Sequence, residues 1–189
     1  EVFTMRKNFG AKPLSYPKPV LMIASYDEDG TPDVMNAAWG GISDSREISM
    51  CLSASHKSVK NILKTEAFTV SMATAETVAA CDYVGIVSAN KTPDKFSRAG
   101  FHAVRSEFVN APLIEELPVA LECRLKSYDA ETGRMVGEIV NVSVDEKFVD
   151  SDGAVNVTAV APITFDPFNN TYVKLGDTVA DAFSVGKTL

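Results

Sequence analysis

The stretch Ser53-Ala-Ser-His-Lys-Ser58 gathers residue types that bind an anion. A phosphate needs several hydrogen-bond donors and a favourable field. Serine hydroxyls, the N–H groups at a helix start and a nearby lysine supply both. Ser53 and Ser55 share one face of an extended chain, so both can address the same anion. The same residues also read as a capped helix followed by a solvated basic face.

Two further stretches carry chemistry-bearing types. Asn36-Ala-Ala-Trp-Gly-Gly41 holds the single Trp, flanked by residues small enough for backbone to approach a planar ligand. In a straight strand Asn36 and Trp39 point to opposite faces, so both touch one ligand only at a bulge or strand end. A Trp filling the core is the alternative. Phe165-Asp-Pro-Phe-Asn-Asn-Thr-Tyr172 is an aromatic-rich turn that suits ring stacking, an interface plug or plain packing before the last strand.

Several reaction classes lack their residues. Gly186-Lys-Thr188 echoes the end of a P-loop, but position 181 is Asp rather than Gly. No Gly-x-Gly-x-x-Gly occurs, so a nicotinamide cofactor is not held in a Rossmann manner. Two histidines, His56 and His102, cannot build a His-rich metal site, and the cysteine spacing gives no zinc signature. No Gly-x-Ser-x-Gly elbow marks a hydrolase.

The elements that must position these residues read mainly as strands. Val20–Tyr26 is a continuous apolar run, expected to be buried on both faces, and Asp27–Pro32 turns it into a returning strand, Asp33–Trp39. Glu47–Ser53 alternates, with Ile48, Met50 and Leu52 on one face. Ser58 is the expected N-cap of a helix to Glu66, with Val59, Ile62 and Leu63 buried and Lys60, Asn61 and Lys64 facing water or ligand. A strand over Ala67–Ala73 and a helix over Glu76–Tyr83 follow. Thr92-Pro93 is expected to open a short helix that Gly100 closes. Val119, Leu121, Cys123 and Leu125 alternate with Ala120, Glu122, Arg124 and Lys126. The chain turns near Gly133 and returns through Val140, Val142 and Val144. A strand at Thr171–Leu175 and a helix at Thr178–Ser184 end the pattern. Many short strands without a β-α repeat predict a mainly β, Greek-key-like antiparallel barrel with a few short helices.

The 189 residues fit a single domain, 1–189, able to bury its own core. Hydrophobic residues at 46% and charged residues at 23% describe a globular chain, and a net charge of −7 argues against nucleic acid or anionic membrane as partner. No apolar run reaches the roughly 18 residues of a membrane span. Glu1–Pro13 is polar, without a signal-peptide core, and Cys51, Cys81 and Cys123 are scattered. A reducing, cytoplasmic setting is therefore expected. Four Asn-x-Ser/Thr matches, beginning at Asn90, Asn141, Asn156 and Asn169, read as chance in that setting.

With these residues in view, the chain resembles the flavin reductase-like, FMN-binding split-barrel family, in its flavoredoxin-type branch. The resemblance rests on the order and spacing of Pro19-Val-Leu-Met-Ile23, Asp33–Trp39, Ser53–Ser58 with Asn61-Ile62, and Asp94-Lys-Phe96 with Ala99-Gly-Phe101. It continues through Gly137-Glu-Ile-Val140, Phe165-Asp-Pro-Phe168, Asn170-Thr-Tyr172, Leu175-Gly176 and Ala182-Phe-Ser184. It implies a split-barrel homodimer with one FMN per subunit near the dimer interface. Carried over by position, Ser53, Ser55, Lys57 and Ser58 would hold the phosphate, with His56 beside it. Asp33, Asn36, Ala37, Ala38 and Trp39 would line the ring and ribityl chain. Lys95 would bring a positive group to the flavin, and Phe168 and Tyr172 would close the site. Asn36 stands where relatives often carry Thr or Ser, and Asn141 occupies the region where some flavoredoxins place a His.

No side-chain acid or base is required, because the flavin carries the redox chemistry. Three readings follow: an NAD(P)H-dependent flavin reductase, an electron-transfer flavoprotein reduced by a redox protein partner, and a cofactor-free binding module.

Overall fold

The computed structural model describes residues 5–188. The first four residues of the polar Glu1–Pro13 stretch, and residue 189, lie outside them. In chain order the elements are β1 (Lys18–Pro19), β2 (Leu21–Tyr26), β3 (Pro32–Ala37), β4 (Gly40–Asp44), β5 (Glu47–Cys51), α1 (Lys57–Thr65) and β6 (Ala67–Met72). Next come α2 (Val78–Ile86), α3 (Lys95–Arg98), β7 (Ala103–Arg105), β8 (Pro112–Ile114), β9 (Val119–Asp129) and β10 (Arg134–Val144). Last are α4 (Val157–Val160), β11 (Ile163–Asp166) and β12 (Thr171–Lys174), with short 3-10 turns at Glu146–Phe148 and Val185–Thr188.

The main sheet runs β3-β2-β6-β9-β10-β5-β4, with every neighbouring pair antiparallel. Its two edges, β3 and β4, are joined by Ala38 and Trp39 alone. Three peptide steps span at most about 11 Å, whereas six strand spacings in a flat sheet would separate the edges by roughly 29 Å. The sheet must therefore curl until its edges nearly meet. Gly40 sits at the meeting point. A Cβ there would lie 2.7 Å from Met50 Cγ, 2.8 Å from Ser49 O and 3.2 Å from Leu21 Cδ1. The result is a mainly β, curled antiparallel half-barrel with few helices, as the strand pattern predicts. A second sheet, β1-β11-β12, and the β7-β8 pair complete it.

Both faces of β2 are buried. From β2, Leu21 and Ile23 join one apolar cluster and Met22 and Ala24 the other, so the continuous run is two-sided as expected. α1 adds Val59 and Ile62 to the first cluster; α2 and α3 add Cys81, Val84 and Phe96 to the second. Each large side chain buried this way contributes about 1.5–3 kcal/mol. Ile48, Met50 and Leu52 face inward as their alternation predicts.

Several expectations are corrected. His56, not Ser58, is the N-cap of α1, because the Ser58 hydroxyl donates to a carboxylate instead. On the same helix Asn61 is buried while Leu63 is exposed. α3 opens after Asp94 rather than at Thr92-Pro93. The polar face assigned to β9 hides Glu122, which accepts hydrogen bonds from Ser106 and from Asn141 Nδ2 (2.7 Å). On β10, Met135 and Gly137 are buried while Val142 is exposed, because two register shifts break the simple alternation. Thr178–Ser184 forms no helix. Its Val179 and Phe183 are almost fully exposed, and so short a segment without a packed apolar face does not sustain helical hydrogen bonding.

Candidate functional site

β3, α1, α2 and α3 converge on a buried polar network. Asp33 points inward from β3, and its Oδ2 accepts a 2.6 Å hydrogen bond from Ser58 Oγ in the first turn of α1. Lys95, the first residue of α3, places Nζ 3.6 Å from Asp33 Oδ1. The same ammonium donates to Val84 O at 2.9 Å and Val87 O at 3.1 Å. A cation thus meets the carbonyls that end α2, where the helix dipole favours it. Lys95 is only 3% exposed. Burial pushes its pKa down, and the Asp33 charge pulls it part of the way back. The positive group expected to reach the flavin is therefore a brace in the recess wall, held by two carbonyls and a carboxylate. Asp33 Oδ1 is buried and accepts no hydrogen bond among the described residues.

Above this network lie two adjoining recesses of about 170 and 360 Å³. The first is lined by Asn36, His56, Lys57, Ser58, Lys95 and the segment 84–89; the second by Asp27, Thr31, Asp33, Lys57, Asn90 and neighbours. Asp33, Lys57 and Ala89 line both. Asn36 is pinned by a 3.1 Å bond from its Nδ2 to Cys81 O. Gly85 makes this possible, since a Cβ there would fall 2.1 Å from Asn36 Nδ2.

Of the Ser53–Ser58 candidates, His56, Lys57 and Ser58 line the first recess, and Ser53 and Ser55 line neither. Ser53 Oγ and Ser55 Oγ lie 2.9 Å apart, and both residues are exposed. His56 caps α1 in extended conformation (φ −67°, ψ 140°) without a side-chain hydrogen bond to the helix. The first turn of a nine-residue helix is thus left without a side-chain acceptor. Asn90 Nδ2 donates to Ser55 O at 3.1 Å, tying the loop after α2 to the rim. Lys57 is ion-paired with Asp27 in the β2–β3 turn. That bond, with the Glu28 N–H, holds the Asp27 carboxyl below the usual carboxylate range.

The remaining candidates lie elsewhere. Ala37 and Ala38 are half-buried at the junction of the sheet edges. Trp39 is 57% exposed and lines hollows with Lys12, Lys18, Gly41 and Arg134, its ring centroid 5.8 Å from Lys18 Nζ. Asn36 and Trp39 therefore face different hollows, as a straight strand requires. Phe168 sits exposed in the β11–β12 turn, edge-on to Phe9 at 6.4 Å. Tyr172 donates to Asp82 Oδ1 at 2.6 Å, and its phenol is pushed up to about 12, chiefly by burial. Neither aromatic lines the two recesses. Asn141 is engaged by Glu122 and does not line them either.

Sequence reasoning passed over the segment Gly85–Asn90, which forms one wall, and Asp27, the partner of Lys57. The small residues Gly85, Ser88 and Ala89 in that segment were the available signal. Nothing local marks Asp27, because its partner lies thirty positions away in another element.

The fold is a curled antiparallel half-barrel with a recess beside the start of α1. The chain belongs to the flavin reductase-like family, a family of flavoprotein oxidoreductases: residues 14–167 match its domain, described as flavin reductase like. The flavoredoxin of Desulfovibrio vulgaris (Miyazaki F) is 36% identical, covers 96% of this chain and 100% of its own, and superposes with a TM-score of 0.91. The flavoredoxin from Methanosarcina acetivorans, 23% identical with 98% of each chain covered, shares the fold at a TM-score of 0.83. A protein of Aquifex aeolicus (strain VF5) with no assigned role is 25% identical over 162 residues, 79% of this chain and 81% of its own.

Proposed function

We propose that this chain binds FMN and passes hydride or electrons through it, as an NAD(P)H-dependent flavin reductase-like oxidoreductase. One observation carries the reading: the start of α1 has no side-chain cap, follows two facing serine hydroxyls, and presents His56, Lys57 and Ser58 to a polar-walled recess. These residues fit a phosphate. Hydroxyls, helix N–H groups and a cation are its ordinary donors.

When bound, the flavin supplies the hydride and electron chemistry. The chain's own residues bind and orient it. Ser53, Ser55, Lys57 and the first N–H groups of α1 hold the phosphate, with His56 beside it. Asp33, which lines both recesses, offers a carboxylate acceptor to a ribityl hydroxyl. Ala37 and Ala38 let backbone approach the planar ring, and Asn36 lines the recess on its side of β3, with Trp39 on the other. Ser58 and Lys95 keep Asp33 in place. Phe168 and Tyr172 close the site across a homodimer interface. Exposed apolar side chains support a second copy there, among them Trp39, Ile42, Val142 and Phe168.

The test is a titration with FMN followed by one addition of NADH or NADPH. Bound flavin is expected to quench, and nicotinamide to bleach it repeatedly under air. Ser53→Ala with Lys57→Ala should weaken binding tenfold or more, the cost of two charge-assisted contacts worth about 1.4 kcal/mol together. Unchanged affinity refutes the phosphate site. The 36% identity to a flavoredoxin favours a second reading, reduction by a protein partner. It predicts bound FMN with sluggish nicotinamide bleaching.

A further inference from the structure

The anion-binding groups at the rim are paired with one another. Ser53 and Ser55 share a hydrogen bond, and Lys57, which lines both recesses, is bound to the Asp27 carboxylate. Asp27 is fixed by its turn. Its N–H donates to Thr31 O at 2.8 Å, its carbonyl accepts from Gly30 N at 3.0 Å, and its Oδ1 accepts from Glu28 N at 2.6 Å. The carboxylate is therefore held where Lys57 meets it. The two side chains are 31% and 26% exposed, so water screens the pair less than it screens a pair on an open surface.

An ammonium gripped by one anion is not fully available to another. A phosphate brought to this corner must draw Lys57 away from Asp27 or share it while the carboxylate repels the phosphate, and either way it binds less tightly. We propose that Asp27 sets how tightly this site holds a phosphorylated ligand, by competing with the ligand's phosphate for Lys57. The inference rests on the reading of Ser53–Lys57 as the phosphate corner. Its functional meaning is a flavin held less tightly, and released faster, than the phosphate corner would hold it with Lys57 unpaired.

The experiment measures equilibrium binding and release of FMN by quenching of flavin fluorescence. The full chain is compared with Asp27→Asn, Lys57→Ala and the double variant; riboflavin is the ligand without phosphate. Asparagine keeps an oxygen for the Glu28 N–H and removes the charge, and Asp27→Ser serves as a second variant if Asp27→Asn fails to fold. We expect Asp27→Asn to bind FMN about threefold to tenfold more tightly, mainly through slower release. Riboflavin binding should stay unchanged, and in the Lys57→Ala background the substitution should tighten FMN binding clearly less than in the parent chain, by direct repulsion alone. Unchanged or weaker FMN binding in Asp27→Asn overturns the competition. So does equal tightening without Lys57, which would reflect general relief of negative charge. If Lys57→Ala weakens FMN binding while Asp27→Asn does nothing, the competition falls and the phosphate corner stands. If the parent chain does not bind FMN, or Lys57→Ala binds it equally well, both fall.

Discussion

Replacing Lys95 with methionine keeps most of the side chain's length and removes its charge, which isolates what the ammonium does. The side chains of Lys95 and Asp33 are only 4% and 6% exposed and lie 3.6 Å apart. At that separation and an effective dielectric of about 20, Coulomb attraction is worth about 4–5 kcal/mol. Methionine would leave Asp33 as a buried, unpaired carboxylate and take the donor away from Val84 O and Val87 O. The expected loss is about 3–5 kcal/mol, the usual cost of breaking a buried ion pair from one side. Asp33→Asn should cost less, because the amide oxygen still accepts from Ser58 and Lys95 keeps its two carbonyls. The double variant Asp33→Asn/Lys95→Met removes the stranded charge, so it should be more stable than Lys95→Met alone, with a coupling of about 2 kcal/mol or more. Urea unfolding followed by circular dichroism measures all four. A loss below about 1 kcal/mol in Lys95→Met would refute the brace.

Two further perturbations test the packing and the charges away from the site. Gly137→Ala would place a Cβ 2.3 Å from Phe68 Cζ and 3.3 Å from Cys123 Cβ in the sheet core. It should destabilise by about 1–3 kcal/mol in the same unfolding assay, with the Phe68 ring forced to move. His102 is raised above its ordinary value of 6.5, first by its hydrogen bond to Glu116 and then by that carboxylate's charge. A raised folded-state value means that the contact's stabilisation is fully present below 6.5 and fades as pH rises through the folded value. The difference in Tm between the parent chain and His102→Gln should therefore be greatest in mild acid and vanish at alkaline pH. A difference that grows with pH would contradict the assignment.

Much of this molecule follows from sequence pattern, because the pattern is local. The apolar run of β2 requires burial on two faces, the alternation of Ile48, Met50 and Leu52 requires one, and Asp27–Pro32 requires a turn. Each is settled by neighbours two to four positions apart. The hydroxyl and basic types of Ser53–Ser58 can be read locally, but their partners cannot. Gly40, read as room for a planar ligand, is instead filled by Met50, Ser49 and Leu21. The tertiary structure decided what depends on distant partners. It turned Ser58 from a helix cap into a donor to Asp33, and buried Lys95 against the end of α2. It gave Lys57 to Asp27 and hid Glu122 among Ser106 and Asn141. Thr178–Ser184, expected as a helix, leaves Val179 and Phe183 exposed and forms none. Charged and polar side chains take the partner that folding brings within about 3 Å, and curling the sheet until β3 meets β4 determines which partners those are.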